Sequence, residues 1–287
     1  MRQSPKTIQI YLPGGDPRGI RIAEITTRIV QIIEVPRNLL AEFMKMDECS
    51  QVAVYFLVGG YESEGTSKVY VGQTSDLKNR LSTHNQKKDF WGKALVLISK
   101  TNSLTQTHSL YLEWHCIKAI AKANRFNCEN GNEGSRPHTP APLEADCNEI
   151  FETGSTLLAT LGFPFFDAVG ITSEAEKDEE IFFCKGSGAD GRAIYTNEGL
   201  VVLKGSSGRK ENVQSIQGKS DERFRLRLVE SNIMSEKDGR YIFQKDHLFD
   251  SPSTAAVALM GRSANGWREW KSKDGITLNE LIRKTAE

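Results

Sequence analysis

Two runs rich in β-branched and aromatic residues, VAVYFLVGG and KVYVGQT, flank YESEGTS, a stretch of turn formers after residue 60. Such runs fit a pleated, half-buried surface, and a gap this short returns the chain antiparallel, so the pair predicts a β-hairpin. Helices and a further strand are expected beyond that hairpin. DLKNRLSTHN puts Leu77 and Leu81 one turn apart on a helix, with Asp76 placed to accept from the free N–H groups at its start. KALVLISK is an apolar run short enough for a buried third strand. From about Thr105 to Ala123 a long helix is expected, with Leu112, Cys116, Ile117 and Ile120 as its inward stripe. The Asn, Gly and Pro of NRFNCENGNEGSRPHTPAP then forbid regular structure, and ADCNEIFETGSTLLATLGF returns to a helix carrying Ile150, Leu157, Leu158 and Leu161.

A chain of 287 residues exceeds one average domain. Residues 1–50 read as a β-rich extension: IQIYL and IRIAEI around PGGDPRG as a hairpin, RIVQIIEV as a further strand, then a short helix in VPRNLLAEFMKM. Residues 51–170 form the central unit with its trailing helix. Residues 171–180, within ITSEAEKDEE, are acidic and nearly devoid of apolar side chains, the composition of a solvated linker. Residues 181–287 form a C-terminal α+β region. It opens with the strands IFFCKG, GRAIYT and LVVLKGS and later passes through GRYIF to a helix in SPSTAAVALMG, with Ser251 as cap and Pro252 in its first turn. The fold class is α+β: a small antiparallel sheet flanked by helices, a β-rich N-terminal extension and an α+β C-terminal region.

Composition excludes several classes. No apolar run approaches membrane-spanning length and the N-terminus lacks the pattern of a signal peptide, so no membrane association and a cytoplasmic location are expected. The five cysteines are odd in number and scattered without zinc spacing, which argues against a disulfide framework or a zinc site. Net charge is zero, yet its distribution is uneven. Residues 68–125 hold ten basic groups against three acidic ones, and residues 126–180 twelve acidic groups against Arg136 and Lys177. A local basic surface can hold a polyanion, although on charge alone solvated faces account for the pattern equally well.

Cutting a phosphodiester requires a base for the attacking water, a cation near the developing charge and usually a metal on a phosphate oxygen. Ala53-Val54-Tyr55, then Tyr70-Val71-Gly72, then Arg80, His84, Glu113 and Asn130 supply such groups in order along a hairpin, a helix, a strand, a second helix and a loop. In this order and context the set resembles the signature of the GIY-YIG nucleases and covers somewhat under a third of the chain. The resemblance implies a divalent-metal-dependent endonuclease acting on DNA, with RNA not excluded. It implies that Tyr55 and Tyr70 face the scissile phosphate, one of them positioning or deprotonating water. Arg80 would steady phosphate charge and His84 relay a proton or bind phosphate. Glu113 would ligate Mg²⁺ or Mn²⁺, and Asn130 would support the site, with Asn127 and Asn132 as competitors in the same loop. Gln73, Lys78, Lys87 and Lys88 are the expected nucleic-acid contacts.

Each residue has a plainer reading when taken singly. The tyrosines could be ordinary sheet residues, Arg80 a surface group, His84 a helix-end residue, and Glu113 could lie on an exposed flank beside His115 or Lys118. This sequence also departs from the signature: alanine stands for the first glycine, valines for both isoleucines, and Gln73 follows the second motif where some relatives carry lysine. The valines keep a β-branched strand residue, and the alanine adds one methyl where backbone could approach closely.

Residues 224–287, with FDSPSTAAVALMGRSANGWREWKSKDGITLNEL, are similar to a small domain of unknown function, the DUF4357 type, often appended to GIY-YIG domains. Trp267 and Trp270 with Arg262, Arg268, Lys271 and Lys273 could make an aromatic and basic surface, against the alternative that both tryptophans close a small core. The runner-up to an endonuclease is a DNA-binding adaptor of nuclease-like fold with little or no turnover.

Overall fold

The computed structural model describes residues 5–59, 67–131, 134–169, 180–186 and 188–283. The turn sequence of the central hairpin apart from Ser67, Asn132, and the acidic stretch 171–180 apart from Glu180 lie outside the described residues. The fold is α+β, with two sheets rich in antiparallel pairs, and the chain divides into two compact units, the first essentially within residues 1–167 and the second within 168–287. Among the described residues no helix is long and apolar enough to cross a membrane.

The first unit is built on β1 (Ile8–Tyr11), β2 (Arg21–Ile25), β3 (Val30–Pro36), β4 (Ala53–Gly59), β5 (Lys68–Thr74), β6 (Lys93–Ser99) and β7 (Asn127–Cys128). Its helices are α1 (Leu40–Phe43), α2 (Leu77–Lys87), α3 (Gln106–Ala123) and α4 (Ala141–Thr160). The sheet order is β1-β2-β3-β6-β4-β5-β7, antiparallel throughout except for the β5–β7 pair. The strands of residues 1–50 therefore continue the sheet of the central unit: β3 pairs with β6 along its whole length, from Val30 opposite Ser99 to Pro36 opposite Lys93. The apolar run of β3 needs cover on both faces: Val30 and Ile32 pack in the core shared with α4, and Ile33 and Val35 in the one that holds Leu40 and Phe43 of α1.

Alternation along β4 distributes its side chains between two cores. Val54, Phe56 and Val58 face α3, α4 and Phe165, while Ala53, Tyr55 and Leu57 face Leu77, Leu81 and Trp91. Asp76 accepts from Asn79 N–H at 3.1 Å and starts α2. Thr105 and His108 form a reciprocal cap at the start of α3, whose stripe of Leu112, Cys116, Ile117 and Ile120 is buried as its spacing predicts. Helix α4 begins at Ala141, four residues before the predicted start. The first turn tolerates Pro142, because the N–H that proline lacks has no helical partner there.

The second unit holds β8 (Ile181–Gly186), β9 (Ala189–Thr196), β10 (Gly199–Val202), β11 (Ser207–Arg209), β12 (Met234–Lys237), β13 (Arg240–Phe243) and β14 (His247–Phe249), with α5 (Ser220–Glu230), α6 (Pro252–Met260) and α7 (Gly266–Glu269). Ser251 Oγ accepts from Thr254 N–H at 3.1 Å and caps α6, which is buried at Pro252 and from Ala255 to Met260. Trp270 is fully buried, its indole N–H donating to the Pro252 carbonyl at 3.0 Å, and Trp267 packs against Tyr195. The tryptophan surface allowed by the sequence is thus not formed: a unit of this size encloses Trp270 for its apolar area. Arg225, also buried, donates to the Ala258 carbonyl near the end of α6 and to the Arg209 and Lys210 carbonyls, tying α5 to α6 and the β11 segment.

Candidate active site

Tyr55 and Tyr70 lie on β4 and β5 and point to the face covered by α2. Tyr55 is fully buried and directly opposite Gly72 in the hairpin register. Its ring occupies the space a side chain at Gly72 would need: a Cβ there would come within 2.3 Å of the Tyr55 hydroxyl. The glycine of the second motif thus has a steric reason that the sequence alone does not reveal.

Helix α2 delivers two groups to that hydroxyl. Arg80 Nε donates to it at 2.9 Å, and His84 Nε2 lies 2.9 Å from it. Arg80 and His84 are one turn apart, as α2 requires for two side chains to converge. Arg80 is otherwise exposed, and its guanidinium also hydrogen-bonds the Tyr70 side chain. Burial, reinforced by the charges of Arg80 and Lys88, holds the buried His84 at a pKa of about 4. Burial also raises the Tyr55 phenol above its ordinary value, more than the hydrogen bond from Arg80 lowers it. At neutral pH the resting pair is therefore a neutral phenol beside a neutral imidazole. Tyr70 is half-buried; its ring meets that of His84 edge-on at 5.2 Å, and Lys88 Nζ stands 4.2 Å from its centre.

Glu113 reaches the site from α3. It is half-buried one turn after Ser109, on the margin of the buried stripe. Burial raises its carboxyl pKa, opposed by the backbone N–H of Gln73 and the charge of Arg80. Glu113 in turn acts on the Tyr55 phenol. The plainer alternative, a flank shared with His115, is not what the structure shows, since His115 packs on Phe151 with ring centres 4.4 Å apart.

Asn130 contacts backbone. Its Oδ1 accepts from Val71 N–H at 2.9 Å and its Nδ2 donates to the Val71 carbonyl at 2.8 Å. A primary amide offers donor and acceptor side by side as a neighbouring strand does, so Asn130 extends the ladder where β7 ends. The outer edge of β5 is completed in succession: Ser67 and Val69 by backbone around β7, Val71 by the Asn130 amide, and Gln73 by the Glu113 carboxylate. Asn127, the competitor for this role, takes part through its backbone in β7.

The expected nucleic-acid contacts divide. Lys87 shares the helix row of Arg80 and His84, and Lys88 covers Tyr70. Lys78 is on the other side of α2, where its charge acts on the Cys49 thiol. Gln73 turns its side chain to α3, accepting from Gln106 Nε2 at 2.7 Å and Ser109 Oγ at 3.3 Å. An uncharged amide on the face packed against α3 finds its partners within the protein.

No group of three or more side chains able to hold a metal occurs among the described residues, and Glu113 forms no ion pair among them. A single desolvated carboxylate beside an exposed arginine fits a hard cation that keeps most of its water, the habit of Mg²⁺.

No curated protein and no solved structure matches the chain. Two family models do, one described as the GIY-YIG catalytic domain over residues 54–127 and one as a domain of unknown function, DUF4357, over residues 182–282. The second match begins well before residue 224, because β8–β11 belong to the same sheet as β12–β14. The Tyr55–Arg80–His84 cluster lies inside the first match, so the chain is similar to the GIY-YIG catalytic domain over residues 54–127 of its first unit and to DUF4357 over residues 182–282 of its second.

Proposed function

We propose that the first unit is a divalent-metal-dependent endonuclease that hydrolyses DNA phosphodiesters at the Tyr55–Glu113 site. The observation that carries this reading is the convergence of Arg80 Nε and His84 Nε2 on one buried phenol, each at 2.9 Å. Guanidinium, phenol and imidazole in series form a directional arrangement: Arg80 only donates, so the Tyr55 proton has His84 Nε2 as its acceptor.

Mg²⁺ (or Mn²⁺) held by Glu113 would neutralise charge on the phosphate oxygens. The protein's own groups do the rest. Arg80, held through Nε by Tyr55 and also bonded to Tyr70, offers the phosphate the charge of an exposed guanidinium, a task that suits a planar fork of permanent charge. As water oxygen bonds to phosphorus, its proton passes to the Tyr55 oxygen while the Tyr55 proton passes to His84 Nε2. The P–O bond to the leaving oxygen breaks, and that oxygen is protonated from solvent. Moving both protons together avoids a free phenolate, which the burial of Tyr55 disfavours. Lys87 and Lys88 extend the positive surface along the path of the strand.

Incubation with supercoiled plasmid tests this directly. Nicked or linear product in Mg²⁺, abolished by chelator, is the expected result. Salt-dependent binding of several DNAs with no cleavage in either metal would replace this reading with the adaptor reading.

A further inference from the structure

The second unit contains a cavity of about 520 Å³ lined by Phe183, Lys185, Glu269, Lys271, Ser272, Lys273 and Gly275. We propose that it binds an unpaired nucleotide of a nucleic-acid strand, the base stacked on Phe183 and the flanking phosphates held by Lys185, Lys271 and Lys273.

Strand alternation is the first argument. On β8, Phe182 and Cys184 point into the core, which leaves Phe183 and Lys185 on the opposite face. A half-exposed phenylalanine there contributes nothing to the core, yet it lines a cavity of the size ligand sites usually have. Register is the second. Phe183 and Lys271 exchange both backbone hydrogen bonds, at 2.7 and 3.0 Å, so their side chains project from the same face. Lys185 lies two residues along β8 on that face, its Nζ 5.4 Å from the Phe183 ring centre. Lys273, in the turn that follows Lys271, also lines the cavity. Three lysines thus line the cavity that the ring faces.

Charge is the third. The one acidic residue of the lining, Glu269, already accepts from Arg262 at 2.7 Å. None of the three lysines forms an ion pair among the described residues, although Asp274 follows Lys273 in the chain. Lysines alone would suit any polyanion. The aromatic face beside them selects one whose repeating unit is a planar ring joined by phosphates, and base stacking on an aromatic tolerates any base.

The full chain in chelator, where cleavage is suppressed, is titrated with fluorescein-labelled (dT)10 by anisotropy. Phe183→Ala is expected to weaken binding about tenfold with an unchanged salt slope. Lys185→Gln with Lys271→Gln and Lys273→Gln is expected to lower the slope by about 2. Phe183→Trp should retain affinity, which separates loss of the ring from loss of the fold. Free thymidine monophosphate should compete weakly, because it has one phosphate group. Photocrosslinking of iodouracil-substituted oligonucleotide should label the peptide containing Phe183. Native-like binding by both the alanine and the triple-glutamine variants, or crosslinks confined to residues 54–127, would overturn the proposal and leave the nuclease reading intact. Equal competition by polyglutamate, unaffected by Phe183→Ala, would also overturn it in favour of an acidic peptide.

Discussion

The hydroxyl of Tyr55 lies 2.9 Å from Nε2 of His84, in a pocket where burial keeps the phenol protonated and the imidazole neutral. Arg80 donates to the same oxygen, so one atom organises three functional groups. Tyr55→Phe removes that atom and keeps the packing. It should cut the plasmid-nicking rate by roughly 10²- to 10⁴-fold, the range for loss of an acid–base group. Binding of the same DNA in chelator should change little.

His84 also makes stability depend on pH. Its pKa of about 4 lies below the ordinary value of 6.5, so between these values the unfolded chain binds more protons and stability rises with pH. The contribution is fully present above pH 6.5 and is lost as pH falls towards 4. His247, held at about 4 by burial and then by Lys245, acts in the same sense. Urea midpoints should fall across this window in the native chain and fall less in His84→Gln. The nicking rate should show no inflection near 6.5, because His84 remains an acceptor well below it.

Gly72→Ala places a methyl where the Tyr55 ring lies, with the hydroxyl 2.3 Å from the new carbon. The ring of a fully buried residue has little room to yield, and overpacking of this kind costs about 1–3 kcal/mol. The substitution should lower the thermal midpoint and reduce cleavage, and hydrogen exchange should quicken along β4 and β5.

Asn130→Asp tests whether the side chain is a backbone surrogate. The carboxylate can still accept from Val71 N–H but cannot donate, and it faces the Val71 carbonyl. Denaturant titration should show a loss of about 1–3 kcal/mol, as for a buried partner left unmade. Cleavage should fall through displacement of Tyr70 and Gly72 on either side. A change in metal affinity with unchanged stability would instead place Asn130 at the reacting atoms.

Much of this geometry was legible in the chain because it is local. The hairpin runs, the Asp76 cap, the one-turn spacing of Arg80 and His84, and the stripe of α3 depend on near neighbours. Features that depend on distant partners were not legible. Nothing in IQIYL or RIVQIIEV says that these strands join the central sheet, since β3 finds β6 some sixty residues later. The steric demand at Gly72 appears only when Tyr55 is set opposite, and the hold of Asn130 on Val71 only when β7 is docked. Gln73 is a polar residue beside a motif in the sequence. In the fold its side chain is turned to α3, where Gln106 and Ser109 engage it. Of the two readings open for Trp270 the structure takes the core, and the exposure of Phe183 follows from strand alternation, which composition does not report.

The most direct test of the account is plasmid nicking by Glu113→Ala against the native chain across a Mg²⁺ titration. On the proposed assignment the half-buried carboxylate holds the ion, so the variant should bind DNA normally and cleave at background rate at every Mg²⁺ concentration. Cleavage by Glu113→Ala with the native rate and the native Mg²⁺ dependence would contradict the assignment of the site.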